Sequence, residues 1–202
     1  MKELTLREIQ NLLGYEVKIV EDKPVKRLAD VGVGETFKVG DLEFIVLEHT
    51  GLVTNVILKN FLVISKFDPD SSNYAESRIR RQLNTVFFNK LAYAVSEKNI
   101  IKHEVDLTTD DGRKEYGSVF DYVSLLTCDM YRKYVTILSV CSNFKEWWWL
   151  ATSLSTVLND YGSTVRCAGE DGVLLYRRCD RLAGVRPFCV LKSDIFVGNK
   201  ND

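Results

Sequence analysis

Five cysteines and two histidines hold most of the chain's nucleophilic and metal-binding potential: Cys128, Cys141, Cys167, Cys179, Cys189, His49 and His103. A structural zinc site needs four thiolate or imidazole ligands, usually in closely spaced pairs. The gaps between these cysteines are 13, 26, 12 and 10 residues, so no C-x-x-C pair exists. The spacing therefore predicts buried free thiols in a reducing compartment, with no bound zinc. A Cys–His nucleophile pair, such as Cys128 with His103, is allowed by residue type, but nothing local supports it. The acidic stretch His103–Gly117 invites a calcium reading. Counted from Asp106, the sixth position is Asp111 where glycine is needed, and the twelfth is Gly117 where glutamate is needed. The calcium-loop pattern fails. The alternatives are a plain surface loop and an irregular calcium site near residues 106–115. No other metal site and no cofactor motif is present.

The stretch with most recognition chemistry is Ser153–Ala183. It contains Arg166, Tyr176, Arg177, Arg178, Asp180 and Arg181. Residues 166–192 hold six basic and three acidic side chains, a local charge of +3 in a chain of −1. Tyr and Arg are favoured anchors of protein interfaces. These residues read as solvated turns, as a protein-binding face or as a nucleic-acid face, because arginine alone does not separate an acidic protein from a phosphate backbone. Just upstream is the run Trp147-Trp148-Trp149. In a strand, Trp148 points away from its two neighbours. Each tryptophan is either a core anchor or a stacking platform, and Trp148 joins the candidate binding residues.

Composition narrows the classes. Lys+Arg is 27 and Asp+Glu is 28 in 202 residues, too balanced for a protein that coats nucleic acid by charge alone. With 46% hydrophobic and 27% charged residues, the chain is globular, neither disordered nor collagenous. The N-terminus MKELTLREIQ has no apolar signal-peptide core, and no run is long enough to span a bilayer. A cytoplasmic protein without membrane contact is expected.

The elements that must position these residues follow from periodicity. Thr5 and Glu8 have capping-box spacing. Leu6, Ile9, Leu12 and Leu13 share a helical face, and Gly14 suits the stop. Tyr15–Val20 alternates as a strand. From Gly34 onward, strands are expected at Thr36–Val39, Glu43–Glu48, Val53–Leu58 and Phe61–Ser65, the first two joined by Gly40-Asp41. Asn73-x-x-Glu76 predicts a helix start, with Ile79, Leu83, Val86, Phe87 and Leu91 as its buried stripe. Arg78, Arg80 and Arg81 lie mostly off that stripe, as a solvated face or a basic surface for an acidic partner. A strand over Val119–Leu126 and a helix over Met130–Leu138, capped by Thr127 or Asp129, come next. Strands Thr164–Ala168, Val173–Tyr176 and Val185–Leu191 close the chain, with a turn at Asp171-Gly172.

Six motifs occur in order. They are Gly34-Glu35-Thr36-Phe37-x-x-Gly40, Phe44-Ile45-Val46-Leu47-Glu48, Glu76-Ser77-x-Ile79-Arg80-x-x-Leu83-Asn84, Val123-Ser124-Leu125-Leu126-Thr127, Trp148-Trp149-Leu150-Ala151-Thr152 and Gly184-Val185-Arg186-Pro187-Phe188. Together they resemble a domain-of-unknown-function family common in phages, prophages and gut Firmicutes, over residues 32–191. The family is similar to the C-type lectin-like fold of formylglycine-generating enzymes and retroelement variable proteins. The resemblance implies an α+β domain with two main helices and short twisted antiparallel sheets. It leaves an N-terminal helix–strand appendage at 1–31 and a tail at 192–202. It also implies an internal, structural Arg186. Formylglycine-generating enzymes use active-site cysteines close in sequence, whereas the nearest pair here, Cys179 and Cys189, is ten apart; catalysis is not expected. Retroelement variable proteins display changeable side chains between the W-L and G-V-R-P segments, which here bound Ser153–Ala183. The expectation is a non-enzymatic phage or prophage binding protein acting on a protein partner from host or phage, in the host cytoplasm or on a virion. The alternatives are an anti-CRISPR-like inhibitor of host defence and a nucleic-acid binder.

Overall fold

Alternating apolar side chains after Gly34 need a sheet to cover them, and the chain pairs them into two main sheets. A computed structural model describes residues 5–15, 26–141, 146–158, 161–169 and 171–199. In chain order the elements are α1 (Leu6–Leu13), β1 (Lys26–Arg27), β2 (Thr36–Val39), β3 (Leu42–Thr50), β4 (Val53–Leu58), β5 (Val63–Lys66), α2 (Arg78–Gln82) and α3 (Phe88–Val95). They continue with β6 (Ile100–Ile101), β7 (His103–Asp106), β8 (Ser118–Asp121), β9 (Val123–Ser124), α4 (Cys128–Cys141), β10 (Trp148–Ser153), β11 (Thr164–Ala168), β12 (Leu174–Arg178), β13 (Leu182–Val185), β14 (Phe188–Lys192) and β15 (Phe196–Asn199). The protein is α+β. The larger sheet runs β1-β15-β2-β3-β4-β14-β6, with β9 also on β14; the smaller runs β12-β11-β10-β13-β5; β7 and β8 pair separately.

The strand expected over Val185–Leu191 is two strands in two sheets. Arg186 and Pro187 interrupt it, and proline has no N–H for a ladder. The crossover is pinned from inside. Arg186 is fully buried, its Nε donates to Leu58 O at 2.7 Å, and its guanidinium lies 5.2 Å from the Trp148 ring centroid. Leu58 N donates back to Pro187 O at 2.8 Å. The Val119–Leu126 segment is likewise divided into β8 and β9.

Strand β10 is covered on both faces. Trp148 and Leu150 enter the core around Ile45, Ile57 and Tyr131, while Trp149 and Ala151 enter the core around Phe37, Phe44 and Phe67. The Trp149 ring meets Phe67 edge-on at 5.6 Å, and its Nε1–H donates to Ser65 O at 2.9 Å.

The helix expected from Asn73 starts later. Asn73 caps only a short 3-10 turn, accepting from Ala75 N at 3.0 Å. Ser77 caps α2, and the Asp68 carboxylate accepts Arg78 N at 2.8 Å. Downstream, Ile79, Leu83, Phe87, Leu91 and Val95 are buried at every fourth position. An α-helix overshoots such a stripe by about 40° per step. A π-helical segment at Leu83–Phe87 takes up the excess and leaves Val86 exposed, against expectation.

The capping box of α1 forms: Thr5 N donates to Glu8 Oε2 at 2.7 Å and Glu8 N to Thr5 Oγ1 at 3.3 Å. The strand expected over Tyr15–Val20 lies outside the described residues beyond Tyr15. Lys26–Arg27 and Phe196–Asn199, from the expected appendage and tail, are the edge of the larger sheet, where Arg27 pairs with Phe196.

Candidate binding face at the β11–β12 hairpin

β11 and β12 form an antiparallel hairpin in which Arg166 pairs with Tyr176 and Ala168 with Leu174. Its turn closes through Gly169 N to Val173 O at 2.9 Å, and Gly172 supplies the positive φ of +74°. Strand alternation then sorts the candidates. Arg166 and Tyr176 share the face that carries Ala168 and Leu174 toward α4. Arg177 lies on the opposite face, its guanidinium 4.1 Å from the Trp147 ring centroid and its Nη1 donating to Leu182 O at 3.0 Å.

Arg166 is clamped. Its guanidinium donates to the Asp110 carboxylate and lies 6.0 Å from the Tyr176 ring centroid. Asp110 also accepts from Arg132 Nη2 at 3.1 Å, and Arg132 Nη1 reaches Asp129 at 2.7 Å. Backbone bonding of Asp110 N to Ser153 O at 2.9 Å ties this loop to the end of β10. Tyr176 is 55% exposed above the clamp. Arg178 Nε donates to Asp180 Oδ1 at 3.3 Å, and that pairing holds the Asp180 carboxyl below its usual range. Arg181 is exposed. The structure therefore gathers Arg166 and Tyr176, with Arg178, Asp180 and Arg181 following along the strand and turn.

Three expectations change. Arg177, expected with Tyr176, is on the other face of β12. Trp148 does not belong to the face: it is 3% exposed, packed edge-on against Tyr131 at 5.6 Å. Arg80 is not a solvated cation. It grips the buried Asp121 through Nε at 2.9 Å and Nη2 at 2.8 Å, while Arg78 and Arg81 remain exposed.

The end of β7 and the loop that follows it place Asp106, Asp110 and Asp111 on the protein's own donors. Asp106 accepts from Thr108 N at 2.8 Å. Asp111 accepts from Ser155 Oγ at 2.6 Å and from Thr109 Oγ1, which hold its carboxyl down at about 2. Among the described residues, no three His, Cys, Asp or Glu side chains converge to hold a metal ion. A polar cavity of about 140 Å³ lies beside this loop, lined by Asp106, Asp110, Cys128, Arg132 and Thr152 among others. Burial pushes the Cys128 thiol up to about 11, opposite to what a nucleophile needs. His103 is not its partner: Nε2 lies 2.9 Å from Ser124 Oγ, and burial lowers the imidazole's affinity for a proton.

Asp110 and Arg132 were not singled out in the sequence. The only signal was an acidic loop in a chain with an arginine-rich segment. Comparisons with protein-family models, curated proteins and solved structures return no significant match. Among the described residues, no helix is long and apolar enough to cross a membrane.

Proposed function

We propose that the chain is a non-enzymatic binding protein of phage or prophage type, built on a C-type lectin-like scaffold. Its binding face is the β11–β12 hairpin and the following turn, with Arg166, Tyr176, Arg178, Asp180 and Arg181 meeting a protein partner. The observation that carries this reading is the half-exposed Tyr176 ring seated on Arg166, which Asp110 holds from below. A fixed aromatic–arginine pair meets a partner with little ordering cost, and Tyr and Arg are the residue types that dominate binding hot spots. Charge favours protein over nucleic acid. Arg166 and Arg178 already face carboxylates, so the surface offers mixed charge, unlike a phosphate-tracking groove.

The test is recovery of tagged protein with its partners from a gut Firmicutes lysate, with and without nuclease. The wild type is compared with a Tyr176→Ala, Arg178→Ala, Arg181→Ala variant. A nuclease-resistant protein retained by the wild type and lost by the variant supports the reading. Recovery that vanishes with nuclease overturns it in favour of nucleic acid.

A further inference from the structure

The smaller sheet ends at β12 on one side and at β5 on the other. β5 is paired only with β13 among the described residues, through Val63–Val185 to Lys66–Leu182. Natural edge strands are protected by short length, charges, proline, bulges or a covering helix or loop, because unpaired N–H and C=O groups accept another strand; β5 is four residues long and has a helix across the groove from it. Here Val63 and Ile64 stand 47% and 49% exposed, and only Lys66 at the strand's end carries charge. Beside them the π-helical segment turns Val86 out to 73% exposure. Leu62, Val63, Ile64, Val86, Phe87 and Lys90 line an apolar groove of about 400 Å³ between strand edge and helix.

We propose that this groove takes an extended peptide of a partner, added as a sixth strand along β5, with alternate apolar side chains and an acidic residue near Lys90. The open edge supplies main-chain hydrogen bonds, and the groove takes every second side chain. Charge selects the occupant. Among the described residues, Lys90 is the only charged side chain lining the groove, and the exposed Lys66 follows Ser65 at the end of β5. A second copy of this chain would bring the same cations and no acid from those residues, so an acidic segment complements the groove better than self-pairing. This surface shares no residue with the β11–β12 face, and either can fail without the other.

The probe is a fluorescein-labelled ten-residue peptide alternating Val and Thr, with Asp-Glu at one end, followed by anisotropy against the full chain. Saturable binding is expected, with added hydrogen-exchange protection at Val63–Lys66. Ile64→Lys should weaken it by about tenfold or more, as edge charges block strand addition. Lys90→Glu, on the exposed helix face, should weaken the acidic probe and strengthen a Lys-Lys version, with unchanged circular dichroism. Lack of saturable binding, equal affinity in the Ile64→Lys protein or absence of the charge reversal overturns the proposal. So does a wild-type dimer abolished by Ile64→Lys, which would make a second copy the occupant. Displacement of the probe by a synthetic peptide of residues 5–15 would make α1 the occupant and overturn it equally.

Discussion

Arg166 and Tyr176 are direct neighbours across the β11–β12 ladder, and the Arg166 guanidinium spans from the Tyr176 ring to the Asp110 carboxylate. The aromatic surface of the face thus depends on a loop 56 residues earlier in the chain. That dependence gives the first expectation. Asp110→Ala and Arg166→Ala should be coupled in a double-mutant cycle by about 1–2 kcal/mol, read from urea denaturation. The side chains of Asp110 and Arg166 are 15% and 19% exposed, so the pair is shielded enough to matter. Additive single effects would show that the clamp does not hold.

A second ion pair carries more weight. Asp121 is 3% exposed and receives two nitrogens of Arg80, which itself links the start of the α2 helix to β8. Asp121→Ala leaves a half-buried guanidinium without its carboxylate and should cost about 3 kcal/mol. The denaturation midpoint checks it; an unchanged midpoint would place Arg80 in solvent.

Arg186 is the internal cation at the sheet crossover. Arg186→Ala removes the Leu58 bond and the contact with Trp148 and leaves a cavity at the crossover, and about 2–4 kcal/mol of stability should go with it. Arg186→Met, which keeps the packing volume, should lose less. Thermal unfolding of both variants measures the difference.

Gly184 is set by a close approach: a Cβ there would stand 2.7 Å from three atoms of the Phe61 ring. Gly184→Ala should destabilise by about 1–3 kcal/mol. A Gly184→Ala, Phe61→Ala double variant should recover part of that loss, because the second change empties the space the methyl needs. If it recovers nothing, the contact is not the cause.

Much of the larger sheet was legible in the sequence, and the reasons are local. Thr36–Val39 and Val53–Leu58 fall where alternation places them, and Gly40-Asp41 forms the two-residue connection between β2 and β3. The errors come from contacts that sequence spacing does not carry. Asp68, ten residues upstream, takes the Arg78 N–H and helps move the helix start from Asn73 to Ser77. The Trp147–Trp149 run shows alternation, but which faces are covered is decided by α4, whose Tyr131 meets Trp148. Pro187 was the available signal for the split between β13 and β14. At the candidate site, Arg166, Tyr176, Arg178, Asp180 and Arg181 were identifiable by type and local charge. Arg177 was grouped with them although strand alternation sends it to the other face. Asp110 was read as part of a loop, and no short pattern links it to Arg166.

Acid should weaken the protein first through His103. Burial lowers its pKa in the folded state, so neutral imidazole is the form the fold prefers. The stabilisation is complete above the unfolded value of about 6.5 and is lost as pH falls toward the folded value. The melting temperature should therefore drop on acidification below about pH 6.5. Part of that drop should disappear in His103→Gln. Asp111, held down at about 2, adds a further loss only below about pH 4, as its carboxylate is protonated.

The binding face is tested most directly by a photoreactive benzoylphenylalanine placed at Tyr176 in the full chain and irradiated in a bacterial host-cell lysate. One covalent protein adduct is expected, resistant to nuclease and weakened when Asp110→Asn loosens the Arg166 clamp, while the same probe at Leu52, 88% exposed on the β3–β4 turn, gives none. An adduct at Leu52 equal to that at Tyr176, or crosslinks to nucleic acid in place of protein, would contradict it.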